Sequence, residues 1–299
     1  MNDHGDPRRR ILSPVERADG EAIPIHAIVA SGAMPPKAGF QFHQAALAFT
    51  ISLLVVVTVS GFFFLDTRGL NTRTGIPKLI KDLGTMITRP GSKHFSLVEG
   101  LGEIGVTLAL GALTTVIGAV GALIVGPFAA ANLVPKPVVA VIKSLVAILR
   151  AIPTVIWVLI FAVSAGLGAV AAVVGMSFHS FSYLIKAYSE AFEDIDASVI
   201  EALRASGATW VQVVWRAVIP SSTSALVSWT FIRFEINFTN AVAMGAAAGA
   251  GGIGYDLFMA SSFYFNINEV GYITWLILAV AVALEVGATR LKKSQRVLR

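Results

Sequence analysis

From residue 45 to residue 65 the chain carries no charged side chain. Roughly twenty apolar residues make about 30 Å of helix, enough to cross the hydrocarbon core of a bilayer. The pattern returns at residues 104–126, 138–163, about 169–187, 221–245 and 271 to about 288. Hydrophobic residues make up 55% of the chain and charged ones 14%, with mean hydropathy +0.74, which is too apolar for a water-soluble domain. The expected fold class is therefore an all-α integral membrane protein with about six transmembrane helices. The run at 104–126 is rich in small residues, which allow close helix packing. The run at 138–163 is interrupted by Arg150 and Pro153.

The polar stretches set the expected topology. The closing segment, 291–299 with Arg290 just before it, holds Lys292, Lys293, Arg296 and Arg299, whereas residues 246–270 hold no basic side chain. Basic flanks mark the cytoplasmic side, so the C-terminus is expected there. An even number of spans puts the N-terminus and residues 190–220 on the same side. Residues 66–103 disagree, with six basic and four acidic residues on the expected outer side; a long loop weakens the charge rule, and the parity of the spans is preferred. Residues 1–44 carry Arg8-Arg9-Arg10 and Pro35-Pro36 without a sustained period and read as a disordered cytoplasmic tail. No convincing small-residue cleavage site follows the first apolar run, so it is not read as a secretory signal. The domain layout is thus a tail over 1–44, a membrane domain over 45–290 and a basic tail over 291–299. The net charge of +5 suits an anionic lipid leaflet and gives little support for nucleic-acid binding.

Between 66 and 103, Ile76, Leu79, Ile80, Leu83, Met86 and Ile87 recur at helical spacing opposite Lys78, Lys81 and Asp82. This predicts an amphipathic helix at the outer interface, or a seat for an external binding protein. The polar segment 190–220 reads as a helical hairpin lying on the membrane surface. Ser198 with Glu201 has the spacing of a capping box, Gly207 suits a left-handed turn, Thr209 with Gln212 forms a second box, and Pro220 is expected to end the second helix. The acidic residues Glu190, Glu193, Asp194 and Asp196 are expected to be a solvated approach to it.

The spacing from Glu201-Ala202-Leu203 through Gly207 to Pro220 resembles the E-A-A motif of ATP-binding-cassette importer permeases, Glu-Ala-Ala-x3-Gly-x9-Ile-x-Leu-Pro. Leu203, Ala217 and Ile219 depart from it, each apolar for apolar. The resemblance implies a type I importer permease fold, with Glu201, Ala202, Leu203, Gly207 and Pro220 coupling the chain to a separate ATPase. A plain surface hairpin between two spans is the alternative.

Arg150, Arg233, Glu235 and Asn237 fall within spans. Charges there are costly unless paired or turned toward water. Arg233 and Glu235, two apart, lie on different helix faces. An interhelical pair such as Arg150 with Glu235 would fix the packing; alternatively Arg150 or Arg233 lines a pathway and offsets an anionic substrate. Gly249-Ala250-Gly251-Gly252-Ile253-Gly254 formally satisfies a dinucleotide-binding pattern, but an apolar span precedes it where a strand is required. Gly249, Gly251, Gly252 and Gly254 are read instead as a tight external turn near the mouth of a pathway. No phosphate-binding loop of the Walker type occurs, the five histidines have no metal-ligand spacing, and cysteine is absent. No catalytic residue, metal site or cofactor of this chain is expected.

Arg233-Phe234-Glu235-Ile236-Asn237, Arg150-Ala151-Ile152-Pro153 with Trp157, and the run from Glu190 to Asp196 resemble phosphonate importer permeases. The resemblance implies a homodimer in a prokaryotic inner membrane, two ATPase subunits that bind ATP and Mg, and an external substrate-binding protein. Its implied substrate is an organophosphonate or a related phosphorus oxyanion. A methionine or quaternary-amine permease is the nearest alternative, and a nucleotide-independent channel or scaffold the more distant one.

Overall fold

The computed structural model describes residues 42–64 and 71–297, with two short strands before them. Residues 1–71 and 72–299 form separate compact units. In the first, β1 (Val15–Glu16) and β2 (Ala22–Ile23) pair antiparallel, with Val15 opposite Ile23. The reading of 1–44 as a tail otherwise lies outside the described residues. Helix α1 (Phe42–Phe64) is apolar on every side; Phe62, Phe63 and Phe64 are all exposed. A helix of that kind suits lipid on all faces.

The second unit is helical: α2 (Thr72–Thr88), α3 (Leu97–Ala129), α4 (Lys136–Ala151), α5 (Thr154–Ala165), α6 (Ala169–Glu193), α7 (Ala197–Ala205), α8 (Trp210–Val213), α9 (Ile219–Ala248), α10 (Ile253–Ser262) and α11 (Ile267–Val297). Among the described residues, α1, α3, α6 and α11 are long and apolar enough to cross a membrane, and α4 with α5 adds a fifth candidate. Helix α9 has the length, at 30 residues, but carries Arg233, Glu235 and Asn237. All six expected spans therefore appear as helical segments.

Their boundaries correct the sequence reading in two places. The third span is not one rod, because α4 and α5 meet at 82°. Ile152 is forced into an extended conformation (φ −83°, ψ 120°) by Pro153 after it, which breaks the helix. The helix of the second expected span, α3, starts at Leu97 rather than 104: Ser96 accepts from the Glu99 N–H, and the Glu99 carboxylate accepts from the Ser96 N–H at 2.7 Å. Two local capping bonds thus draw Glu99 and Glu103 into the helix.

Helix α3 packs along α6 and α9 at the centre of the unit. Glycine makes the contact possible: a Cβ at Gly118 would stand 2.8 Å from Ser180 Cβ, and one at Gly111 would stand 3.0 Å from the Phe238 backbone nitrogen. In lipid, where burial of apolar surface against other helices gains little, such close contact supplies much of the attraction. One apolar cluster, around Tyr188, Phe192, Ile200, Val213 and Val218, supports the 190–220 segment. Another, around Ile104, Ile253, Ala260 and Ile273, closes the opposite end of α3. The amphipathic helix expected near residue 80 is α2, and it packs on α11, where Asn268 Nδ2 donates to Arg89 O at 2.6 Å.

Candidate functional site

The hairpin forms, with a different start and end from those the motif spacing suggested. Ser198 and Glu201 make no capping box. Asp196 is the cap, its carboxylate accepting from the Ser198 N–H at 2.9 Å. Those bonds hold the Asp196 carboxyl below its ordinary pKa. Glu201 and Ala202 are thereby left exposed on α7, while Ile200 is buried and Leu203 packs on the core. Helix α7 ends as the sequence predicts. Gly207 has φ +85°, its N–H donates to Arg204 O, and the Ala208 N–H reaches back to Leu203 O, both at 3.0 Å. This pair of bonds is the Schellman closure, which needs a left-handed residue. Thr209 and Gln212 form the second box as expected.

Pro220 does not end the second helix. Helix α8 runs through a π-turn, Val214–Val218, directly into α9, and Pro220 sits in the first turn of α9. Where the ladder has already slipped to i→i−5, as in the Ile219 N–H to Val214 O bond, proline's missing N–H is accommodated. The hairpin's second arm is thus continuous with a bundle helix.

The first arm is braced from the side. Arg204 Nη2 lies 3.4 Å from the carbonyls of Asn132 and Leu133, and Trp210 Nε1 donates to Leu133 O at 3.1 Å. The acidic residues before it are not merely solvated, because α6 extends to Glu193. Glu193 accepts from the Ala131 N–H at 2.8 Å and from Lys143 Nζ at 2.9 Å, while Glu190 pairs with Lys186 at 3.0 Å.

The second constellation lies within the bundle. Arg233 is 2% exposed and Asn237 is fully buried. Arg233 Nε donates to Ser180 Oγ at 3.1 Å, and Ser180 donates to Asn237 Oδ1 at 3.0 Å. Asn237 Nδ2 donates to Thr115 Oγ1 at 2.9 Å, whose hydroxyl donates to Gly111 O. Three helices are joined by this directed chain. The Arg233 guanidinium carbon stands 5.1 Å from the centre of the Tyr183 ring, and that of Arg150 stands 6.0 Å from it. Arg150 therefore meets α6 through an aromatic face rather than making the expected contact with Glu235, which is partly exposed on α9. The structure brings Arg150, Arg233 and Asn237 together around α6. The sequence reading missed their partners Ser180, Tyr183 and Thr115, although Ser180 and Tyr183 share a helix face with polar residues in an otherwise apolar span.

The glycine segment caps α9 and opens α10. Gly249, Gly251 and Gly252 all have positive φ, and a side chain at Gly254 would collide with the Val242 carbonyl. A helix precedes the segment, which removes the nucleotide reading. The Ile253 N–H donates to Thr107 Oγ1 at 3.0 Å, tying this turn to α3. Nearby, the buried Glu269 accepts from Ser92 Oγ, from the backbone N–H of Lys93 and His94, and bonds His94 Nδ1 at 2.7 Å. No spacing in the sequence pointed to that pair, 175 positions apart.

Residues 122–289, more than half of the chain, match the family model of the binding-protein-dependent transport system inner membrane component. The phosphite transport system permease protein PtxC of Stutzerimonas stutzeri is 34% identical over 85% of this chain and 89% of its own length. The phosphate-import permease protein PhnE of Mycolicibacterium smegmatis is 32% identical over 60% of this chain, which spans 34% of that longer protein. Among solved structures, an inward-facing MetNI methionine ABC transporter chain superposes with TM-score 0.59 at 24% identity, covering 67% of this chain and 95% of that one. That likeness carries the type I importer permease fold. The hairpin, the bundle and these matches together establish that the chain belongs to the family of inner-membrane permease components of binding-protein-dependent ABC importers.

Proposed function

We propose that this permease carries a phosphorus oxyanion, phosphonate or phosphite, across the inner membrane of a prokaryote. The observation that carries the reading is Arg233: a guanidinium buried in the bundle, held from one side by Ser180, with Nη2 unpartnered. A buried cation of this kind is costly without a counter-charge and suits an anion in transit. The relatives named for phosphite and phosphate transport support the same class.

In this reading two copies of the chain form the pathway, with both termini cytoplasmic and the Gly249–Gly254 turn near its outer mouth. An external binding protein delivers the substrate. Two ATPase subunits hold ATP and Mg, and each receives the exposed face of Glu201, Ala202 and Gly207 in a groove. Because α8 continues into α9, a push on the hairpin is delivered along the same helix that carries Arg233. Closure of the ATPase pair would then swing the bundle between inward- and outward-open states.

The test is uptake of labelled methylphosphonate by cells with and without the chain, with phosphite, phosphate and methionine as competitors. Uptake lost on deletion and competed by phosphorus oxyanions alone is the expected result. Unchanged phosphonate uptake with methionine uptake lost overturns the substrate and leaves the importer.

A further inference from the structure

On α6, Tyr183, Lys186, Glu190 and Glu193 recur every three or four residues and so share one face of the helix. Lys143, Ala147 and Arg150 do the same on α4, and the two helices pack together. Two cavities with common walls lie between those faces. The larger, of about 160 Å³, has Lys143, Ala147, Arg150, Lys186 and Glu190 in its lining. The smaller, of about 70 Å³, shares Arg150, Lys186 and Glu190 and adds Tyr183 and Trp229. A water molecule occupies only about 30 Å³ in the liquid, so the larger has room for a small tetrahedral ion. Toward the hairpin the cleft ends at Lys143, whose partner Glu193 also holds the Ala131 N–H. Toward the bundle centre it ends at the Tyr183 ring, which meets the guanidinium groups of both Arg150 and Arg233.

Three cations and two carboxylates face this cleft. Lys143 pairs with Glu193 at 2.9 Å and Lys186 with Glu190 at 3.0 Å, with all four side chains partly exposed. Exposed pairs of this kind are weak and exchange readily. Among the described residues Arg150 has no carboxylate partner; its contact is the Tyr183 ring. The cleft therefore keeps one positive charge in excess, on an exposed guanidinium fork that suits two oxygens of one oxyanion. The ammonium group of an amino acid would be repelled by the same excess. Resting on the phosphorus-oxyanion reading above, we propose that the cleft between α4 and α6 is a second, inner site for the transported ion. Arg150 is its main contact, Lys186 and Lys143 stand beside it, and the ion passes from Arg233 by way of this cleft toward the hairpin end. An anionic lipid headgroup carries the same phosphorus–oxygen chemistry; a cavity walled by two helices and continuous with the Tyr183 ring favours the free ion.

The chain has no cysteine, so Ala147→Cys places a single thiol on the cavity wall. The complex of this chain with its ATPase, in phosphatidylcholine nanodiscs, is treated with a sulfonate-bearing or a trimethylammonium-bearing methanethiosulfonate. Modification of this chain is followed by mass spectrometry, each rate being taken relative to that with a free thiol. The anionic reagent is expected to react about tenfold faster, because a cleft of one charge sign concentrates the opposite ion. Phosphite should slow it severalfold, and methionine should not. Arg150→Gln in the same background should remove both effects and leave the rate of a neutral reagent unchanged. Equal relative rates for the two charged reagents, or no protection by phosphite, overturns the proposal, and neither result needs the Arg150 variant to assemble. Phosphatidylglycerol in place of phosphatidylcholine separates the lipid source: modification slowed by that lipid and indifferent to phosphite overturns the proposal in favour of a headgroup site. Where protection fails but phosphite uptake by cells still depends on the chain, only the inner site fails; where uptake is independent of the chain, the substrate reading fails with it.

Discussion

The indole N–H of Trp210 donates to the carbonyl of Leu133 at 3.1 Å, joining the turn of the hairpin to the loop between α3 and α4. The Phe128 ring stands 5.0 Å away, so the contact is both polar and aromatic. In the coupling proposed above the hairpin acts as a lever, which transmits displacement only if its root cannot yield, and this bond would be part of that root. Trp210→Ala is expected to lower uptake per ATP hydrolysed in proteoliposomes severalfold, with Trp210→Phe intermediate. An unchanged ratio for the Ala variant would remove the bracing role.

Gly207 has open space around it, yet its φ of +85° is one that side chains rarely adopt. A non-glycine residue there costs about 1–2 kcal/mol, least for Asn. Gly207→Asn should therefore assemble and transport nearly as wild type. Gly207→Pro is expected to leave ATP hydrolysis and abolish uptake; normal uptake by that variant, at normal assembly, would sink the coupling role.

Truncating Arg233 removes the charge and the donor to Ser180. Arg233→Ala should cut uptake at least tenfold while the ATPase still co-purifies in normal amount. Arg233→Lys keeps the charge without the planar fork and should recover part of the loss. Failure of both variants to assemble would assign the residue to packing instead.

Asp256, on α10 in the segment between α9 and α11, has its carboxyl pKa raised to about 6 by burial, with the negative charges of Glu103 and Glu269 adding to the shift. A raised acid favours the folded state while protonated. Its contribution is complete below the unfolded value of about 3.9 and is lost as pH rises to about 6. Asp256→Asn should raise the thermal midpoint at pH 7.5, and the gain should shrink toward pH 4. A midpoint difference that does not vary with pH would show that the carboxyl is not responsible.

Glu269 accepts from the Ser92 hydroxyl and from two backbone N–H groups, and it holds the His94 ring. Glu269→Ala strands those donors at a cost of about 1–3 kcal/mol for each one left buried. Faster hydrogen exchange at residues 92–95, with α6 unaffected, is the expected signature. Unchanged exchange there would mean that the segment is held by other contacts.

Much of this molecule is set by local pattern. Apolar runs such as 45–64 become helices because lipid leaves a backbone no other hydrogen-bond partner. Gly207 and the Thr209–Gln212 box act within a few residues, so their roles could be read without a fold. Misreadings arose where two local signals competed. Asp196 outcompeted Ser198 as a cap, and a π-turn let Pro220 continue a helix that proline usually ends.

The sequence by itself also placed Arg233 and Asn237 inside a span, but not what they touch. Ser180 and Thr115 reach them from 53 and 122 positions away. Tyr183 stays one aromatic among many until α6 packs on α9 and sets its ring centre 5.1 Å from the Arg233 guanidinium carbon. Such contacts depend on helix rotation and crossing, which glycines at the α3 interface set through packing rather than through any nearby residue. Local hydrogen bonding and hydropathy determined the elements; only close packing between distant elements decided which buried polar atoms are satisfied and which, like Arg233 Nη2, are left without a partner.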